Sequence, residues 1–170
     1  MRIKLIYGSD TGNTELVTED LTKLLDDVEV TTVADLTPED WESHDCYILG
    51  IPTWYDGELQ SDWEDYFEEF KTIDFTGKKV AIFGLGDQLG YEEWFCDGVG
   101  ILAETIMKNG GQSIGWTDID ETYDLEEKPK SMYNEFKFYG LCLDEDNQDE
   151  LTEERLDNWI EKISKEFQDE

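Results

Sequence analysis

Ser9-Asp10-Thr11-Gly12-Asn13-Thr14 packs three hydroxyls and a glycine into six residues, directly after the apolar run Ile3 to Tyr7. Between a strand and a helix, such a turn directs backbone N–H groups and side-chain donors into one small concavity. That concavity lies at the positive end of the helix dipole, where a phosphate is held well. The hexapeptide has no lysine or arginine, which separates it from the Lys-containing glycine loop of nucleoside triphosphatases. An ordinary strand-to-helix turn with Thr14 near the helix start is the plain alternative.

Two later segments combine glycines with aromatic residues: Pro52-Thr53-Trp54-Tyr55-Asp56-Gly57-Glu58-Leu59 and Gly84-Leu85-Gly86-Asp87-Gln88-Leu89-Gly90-Tyr91. Each follows a strand-like run, so in a doubly wound sheet all three segments converge at the carboxyl ends of the strands. Ligands of such sheets lie there, where the strand order reverses. Two aromatic faces beside an anion cradle describe a slot for a flat, phosphorylated heterocycle.

The elements that must position these segments follow an alternating pattern. Strand-like runs occur at Ile3–Tyr7, Glu29–Val33, Cys46–Ile51, Lys79–Phe83, Ser113–Trp116 and Lys137–Leu143. Val17, Leu21, Leu24 and Leu25 recur at helical spacing and predict a helix from about Asn13 to Leu25. Thr37-Pro38-Glu39-Asp40 reads as a cap with proline at the first helical position. Trp63, Tyr66, Phe67 and Phe70 form a further stripe. Another runs from Ile101 to Met107 and ends at Asn109-Gly110-Gly111, and a last one carries Leu156, Trp159, Ile160, Ile163 and Phe167. These stripes read as core. Strands alternating with helices predict a doubly wound five-stranded parallel sheet with helices on both faces. The acidic stretch Thr117 to Glu135, without periodicity, reads as a long insertion interrupting the last strand. The whole chain, 1–170, is expected to be one domain.

Charge narrows the partners. Against 44 acidic residues stand 13 basic ones, a net charge of −31. Such a surface repels nucleic acid and anionic membranes and favours transient docking onto basic proteins. The 3 cysteines are too few and scattered for a disulfide framework or metal cluster, and Cys46 and Cys142 read as core. No metal site is expected at the lone His44. With no signal peptide or membrane-length apolar run, a reducing, cytoplasmic setting is expected.

Here the sequence resembles the flavodoxins, over almost its whole length. Four blocks carry the likeness: Gly8 to Glu15; Gly50 to Trp54 with Gly57 to Trp63; Phe83 to Tyr91; and Leu143 to Gln148. The insertion is similar to that of the long-chain subgroup. The resemblance implies a flavodoxin-like fold, FMN as non-covalent cofactor, and low-potential one-electron transfer without substrate turnover. Electrons would come from a basic NADPH-linked flavodoxin or ferredoxin reductase and pass to acceptor redox enzymes, with the protein acting as a monomer.

By position in the family, the cofactor set is Ser9, Asp10, Thr11, Gly12, Asn13, Thr14, Pro52, Thr53, Trp54, Tyr55, Asp56, Gly57, Gly86, Asp87, Tyr91, Phe95, Cys96 and Asp146. Ser9, Thr11 and Thr14 would hold the phosphate. Trp54 and Tyr91 would sandwich the ring, Thr53, Gly57, Gly86 and Asp87 would shape its pocket, and Asp146 would neighbour the ribityl chain. The resemblance also implies that Gly57 lets its turn reverse a carbonyl toward the reduced ring. Aromatic stacking and negative charge disfavour an added electron, and each ~1.4 kcal/mol lowers a one-electron potential by about 59 mV. An FMN-dependent NAD(P)H quinone reductase on the same fold is the alternative. Aromatic cover on both ring faces argues against it, and the loops lack a histidine or nucleophile set for acid–base work. A receiver domain of the same architecture is set aside, because the third strand runs into Gly50-Ile51-Pro52 without an aspartate.

Overall fold

Apolar residues occupy consecutive positions in the central strands because both sheet faces are covered, so successive side chains enter opposite cores. The computed structural model describes residues 2–10, 12–54 and 57–169, and of Trp54 the backbone alone. In chain order the elements begin with β1 (Ile3–Tyr7), α1 (Asn13–Leu24), β2 (Val28–Thr32), β3 (Cys46–Trp54) and β4 (Glu58–Leu59). They continue with α2 (Ser61–Phe70), β5 (Lys79–Leu85), α3 (Asp97–Lys108), β6 (Gln112–Ile114) and β7 (Thr117–Asp118). The last are β8 (Lys137–Phe138), β9 (Leu141–Leu143) and α4 (Thr152–Gln168).

The parallel sheet runs β2-β1-β3-β5, and β6 and β9 share the fifth place by pairing with successive parts of β5. Five parallel positions with helices on both faces agree with the alternating sequence pattern. Leu5, Ile48, Ala81 and Phe83 pack with Val17 and Leu21 of α1 and Leu156, Trp159 and Ile163 of α4. Their sequence neighbours Ile6, Leu49 and Ile82 enter the opposite core with Trp63 and Phe70 of α2 and Val99, Leu102 and Ile106 of α3. From β1 the chain turns one way to β2 and the other way to β3. The crevice beyond β1 and β3 is therefore the switch point, this strand order being a standard case of that rule.

Some boundaries differ from the sequence pattern. The run Lys137–Leu143 is two strands: β8 pairs antiparallel with β7, and β9 joins the main sheet. Gly140 separates them, lying so close to β5 that a Cβ would stand 2.1 Å from the Ile82 carbonyl oxygen. The stretch 115–140 thus carries its own hairpin rather than being featureless. At Pro38–Trp41 the helix is a single 3-10 turn, closed by a capping box in which Asp40 accepts from the Thr37 N–H at 2.7 Å.

At the opposite end of the sheet from the crevice, Lys4 is buried and paired with Asp40 at 2.7 Å and Glu29 at 3.1 Å. His44 lies beside this cluster, its Nδ1 2.6 Å from the Ser43 hydroxyl and its Nε2 3.5 Å from Glu29. Burial, with the Arg2 charge next, holds the imidazole below its usual range, while Glu29 works against them. A depressed pKa means that the unfolded chain takes up the proton more readily than the folded one. The resulting stability is fully present above about pH 6.5 and is lost as pH falls through the folded-state value. Urea midpoints measured across that range should fall further for the wild type than for His44→Gln. Parallel profiles for the two proteins would remove His44 from the acid response.

Candidate functional site

The first turn of α1 opens on the crevice without a side-chain cap. Its N-cap position is Gly12, held at φ 92 in the left-handed region, and among the described residues no side chain caps the helix N–H groups that follow it. Gly12 suits that conformation because it has no Cβ to clash. Its N–H donates to the Ser9 hydroxyl at 3.0 Å, which fixes the loop. The Thr14 hydroxyl is buried and has no hydrogen-bond partner among the described residues. An unpartnered buried hydroxyl costs about 1–3 kcal/mol, so its presence under an uncapped helix start calls for an acceptor. Together the turn's N–H groups and this hydroxyl fit a phosphate.

Asp10 would oppose an anion, but its carboxylate is engaged elsewhere. Oδ1 accepts from Gln60 Nε2 at 3.0 Å and from the Ser61 hydroxyl at 2.9 Å. Gln60 is fully buried, and its Oε1 accepts from the Trp63 N–H at the start of α2. It reaches this place because Gly8 is bare: a Cβ there would stand 2.1 Å from Gln60 Oε1. The Gly50 carbonyl accepts from both the Gly8 N–H and the Trp63 indole, closing β1, β3 and α2 around the loop.

Beside the helix start lies a cleft of about 50 Å³ lined by Asn13, Thr53, Leu85, Gly86, Asp87, Tyr91, Glu145 and Asp146. The start of α1, the carboxyl ends of β3 and β5 and the segments after β5 and β9 thus line one cleft. A larger cleft of about 240 Å³ lies between α4 and the 115–140 excursion, and none of the sequence-predicted cofactor residues lines it. Tyr91 is partly exposed at the cleft. Its loop is fixed from below: Asp87 accepts from the N–H groups of Leu89 and Gly90 and from Asn147 Nδ2 at 2.8 Å. Burial works to raise the Asp87 pKa, and these hydrogen bonds outweigh it and hold the carboxyl below its usual range. Asp144, fully buried, accepts from Gln88 Nε2 at 2.8 Å and from Asn147. Burial, then the charges of Asp87 and Asp144, push the exposed Asp146 up. The site edge therefore carries negative charge next to neutral donors.

Several predicted residues, whether or not they line the cleft, are tied into the core. Pro52 and Thr53 are buried at the end of β3, where the Thr53 hydroxyl accepts from the Gly98 N–H at 2.9 Å. Gly86 is bare because of the protein itself, since a Cβ would stand 2.9 Å from both the Cys96 nitrogen and the Phe95 ring. Phe95 packs on Tyr123 and Phe138 in the core. Cys96 is fully buried with φ 55, and burial beside Cys142 pushes its thiol well above the ordinary range. Thr11, Tyr55, Asp56 and the Trp54 side chain lie outside the described residues. Gln60, Gln88, Asp97, Asp144 and Asn147 were not among the predicted site residues. The legible signal for Asp144 was an acid directly after the apolar run Leu141–Leu143.

A family model described as flavodoxin matches residues 5–159. A flavodoxin of Synechocystis sp. is 46% identical over 166 residues, covering 95% of each chain. Flavodoxin 1 of Escherichia coli K12 is 43% identical over 166 residues, covering 96% of this chain and 93% of that one. The crystal structure of Fusobacterium nucleatum flavodoxin bound to flavin mononucleotide superposes with a TM-score of 0.90 at 35% identity. It covers 97% of this chain and 98% of its own.

Thr14→Val exchanges the unpartnered hydroxyl for a methyl of similar shape. It should stabilise the ligand-free chain by about 1 kcal/mol in urea unfolding. It should also shrink the rise in melting temperature that inorganic phosphate gives the wild type. A loss of stability together with an unchanged phosphate response would contradict the anion cradle.

Proposed function

This chain belongs to the flavodoxin family, and on that premise we propose that it is a one-electron transfer protein carrying non-covalent FMN. Bound FMN would accept and release electrons one at a time. The observation that carries the reading is the buried Thr14 hydroxyl, without a partner among the described residues, under the uncapped start of α1, which suits the phosphate of such a cofactor. Ser9 and Gly12 hold the loop in shape, and the amides of Asn13 and Thr14 supply further donors. Gln60 and Ser61 hold one oxygen of the Asp10 carboxylate and tie that side chain to the head of α2.

At the ring end, Thr53 and Gly86 form a floor and Tyr91 a wall. The Asp87–Asn147–Asp144 network holds that wall in place. An aromatic wall excludes water, and the neighbouring acids disfavour added negative charge. Both effects favour an electron leaving over one being stored. The redox partners we assign are a basic NADPH-linked flavoprotein reductase as donor and other redox enzymes as acceptors. With 44 acidic and 13 basic residues, the surface suits brief docking on positive faces. We further assign the chain as one FMN-binding domain over 1–170, working as a monomer in the cytoplasm, with no nucleic-acid or membrane partner. Among the described residues, no helix is long and apolar enough to cross a membrane.

Stepwise dithionite reduction of the FMN-loaded protein, followed in the visible spectrum, tests the reading. Two resolved one-electron stages are expected, with no NADPH oxidation by the isolated protein. A single two-electron stage with NADPH turnover would instead make it a quinone reductase of the same fold.

A further inference from the structure

Asp97, the first residue of α3, is 2% exposed, and a carboxylate so buried needs partners to offset its lost hydration. Its Oδ1 accepts from the Lys130 N–H at 2.7 Å. Its Oδ2 faces the turn after β3, standing 2.7 Å from the point that a Cβ on Gly57 would occupy. Gly57 has φ 80, so the turn uses glycine both for its backbone conformation and for the room Asp97 takes. Beside it the Gly98 N–H donates to the Thr53 hydroxyl. One buried side chain thus stands between the Gly57 turn and the excursion that carries Lys130.

The excursion is tied to the neighbouring Tyr91 segment as well. Gln88 accepts from the Asp124 N–H at 2.8 Å, and Glu92 accepts from the N–H groups of Glu126 and Glu127. The Ser131 hydroxyl, fully buried, donates to the Phe95 carbonyl at 2.6 Å. Against α3, the Lys130 carbonyl comes so close that a Cβ on Gly100 would stand 1.8 Å away. These contacts leave the excursion little freedom to shift without moving the start of α3.

We propose that Asp97 is a positioning residue that couples the 115–140 excursion to the Gly57 turn and, through that turn, to flavin binding. The inference rests on the FMN reading above. Its physical content is a linkage: a ligand that fixes the position of Gly57 also fixes Asp97 against it, and with Asp97 the Lys130 contact. By reciprocity, whatever grips the excursion alters flavin affinity by the same factor. Asp97 acts by holding backbone in place, and the oxygen that accepts from Lys130 is the essential atom.

The test is amide hydrogen exchange at Lys130 in the full chain with and without FMN, together with FMN titrations of the variants. In the wild type, FMN should slow Lys130 exchange at least tenfold. Asp97→Ala should weaken FMN binding at least tenfold and abolish that slowing. Asp97→Asn keeps an acceptor oxygen and should bind within threefold of the wild type. A wild type that binds FMN while Lys130 exchanges at its former rate overturns the coupling, whatever the variants do. Asp97→Asn as weak as Asp97→Ala would likewise overturn it, since charge and not position would then matter. A wild type that takes up no FMN would overturn the functional reading and this inference together.

Discussion

The start of α1 needs an acceptor that the chain does not itself provide among the described residues, and the rest of the site is arranged around that need. Gly12 gives the turn its left-handed step and, having no side chain, leaves the first amides uncapped. Thr14 adds a buried hydroxyl in the same condition. A cap of serine, aspartate or asparagine type would satisfy one of these donors and stabilise the helix by roughly a few tenths of a kcal/mol over glycine, while filling the place an anion would take. Stability is thus given up at the place where function requires it, as functional sites commonly do. The neighbouring Asp10, which could fold back as a cap, is held instead by Gln60 and Ser61 at the head of α2. That arrangement depends in turn on Gly8, whose missing side chain admits Gln60.

Charge gives the same site its second character. A chain of net charge −31 would hold an anion against its own overall field, so short-range donors must outweigh long-range repulsion. Neutral amides and hydroxyls at hydrogen-bonding distance can do so, because charge-assisted hydrogen bonds contribute about 1.5–3 kcal/mol each. Beside Tyr91 the acids stay close: Asp87, Asp144 and Asp146 bring carboxylate oxygens within 4.8 Å of one another. Asp87 and Asp144 are used as loop fasteners through amide donors, while Asp146 is left exposed. The acidity that holds the Tyr91 loop would therefore also set the local field against an added electron on the proposed cofactor.

The architecture was legible in the sequence because each level agreed with the next. Apolar runs of strand length, helical stripes between them and the hydroxyl-rich loop all pointed to one doubly wound sheet. The meeting of Asn13, Thr53, Gly86, Asp87, Tyr91 and Asp146 at one cleft follows from that topology. What escaped was set by contacts between distant segments. Lys137–Leu143 reads as one strand until Gly140 is seen against the Ile82 carbonyl. Gly86 looks like a ligand-approach glycine, whereas its bareness accommodates Cys96 and Phe95. Asp97 is an ordinary helix-start acid by sequence, and its partner Lys130 lies more than thirty residues away. No local pattern reports such pairings.

Comparison of FMN with riboflavin, titrated into the ligand-free protein by flavin fluorescence, measures the central claim most directly. The two ligands share the ring and the ribityl chain and differ in the phosphate. If the uncapped start of α1 and the Thr14 hydroxyl anchor the cofactor, riboflavin should bind on the order of a hundredfold more weakly or worse. Equal affinities would mean that the phosphate gains nothing from this loop, and the site would have to be built from the ring contacts alone.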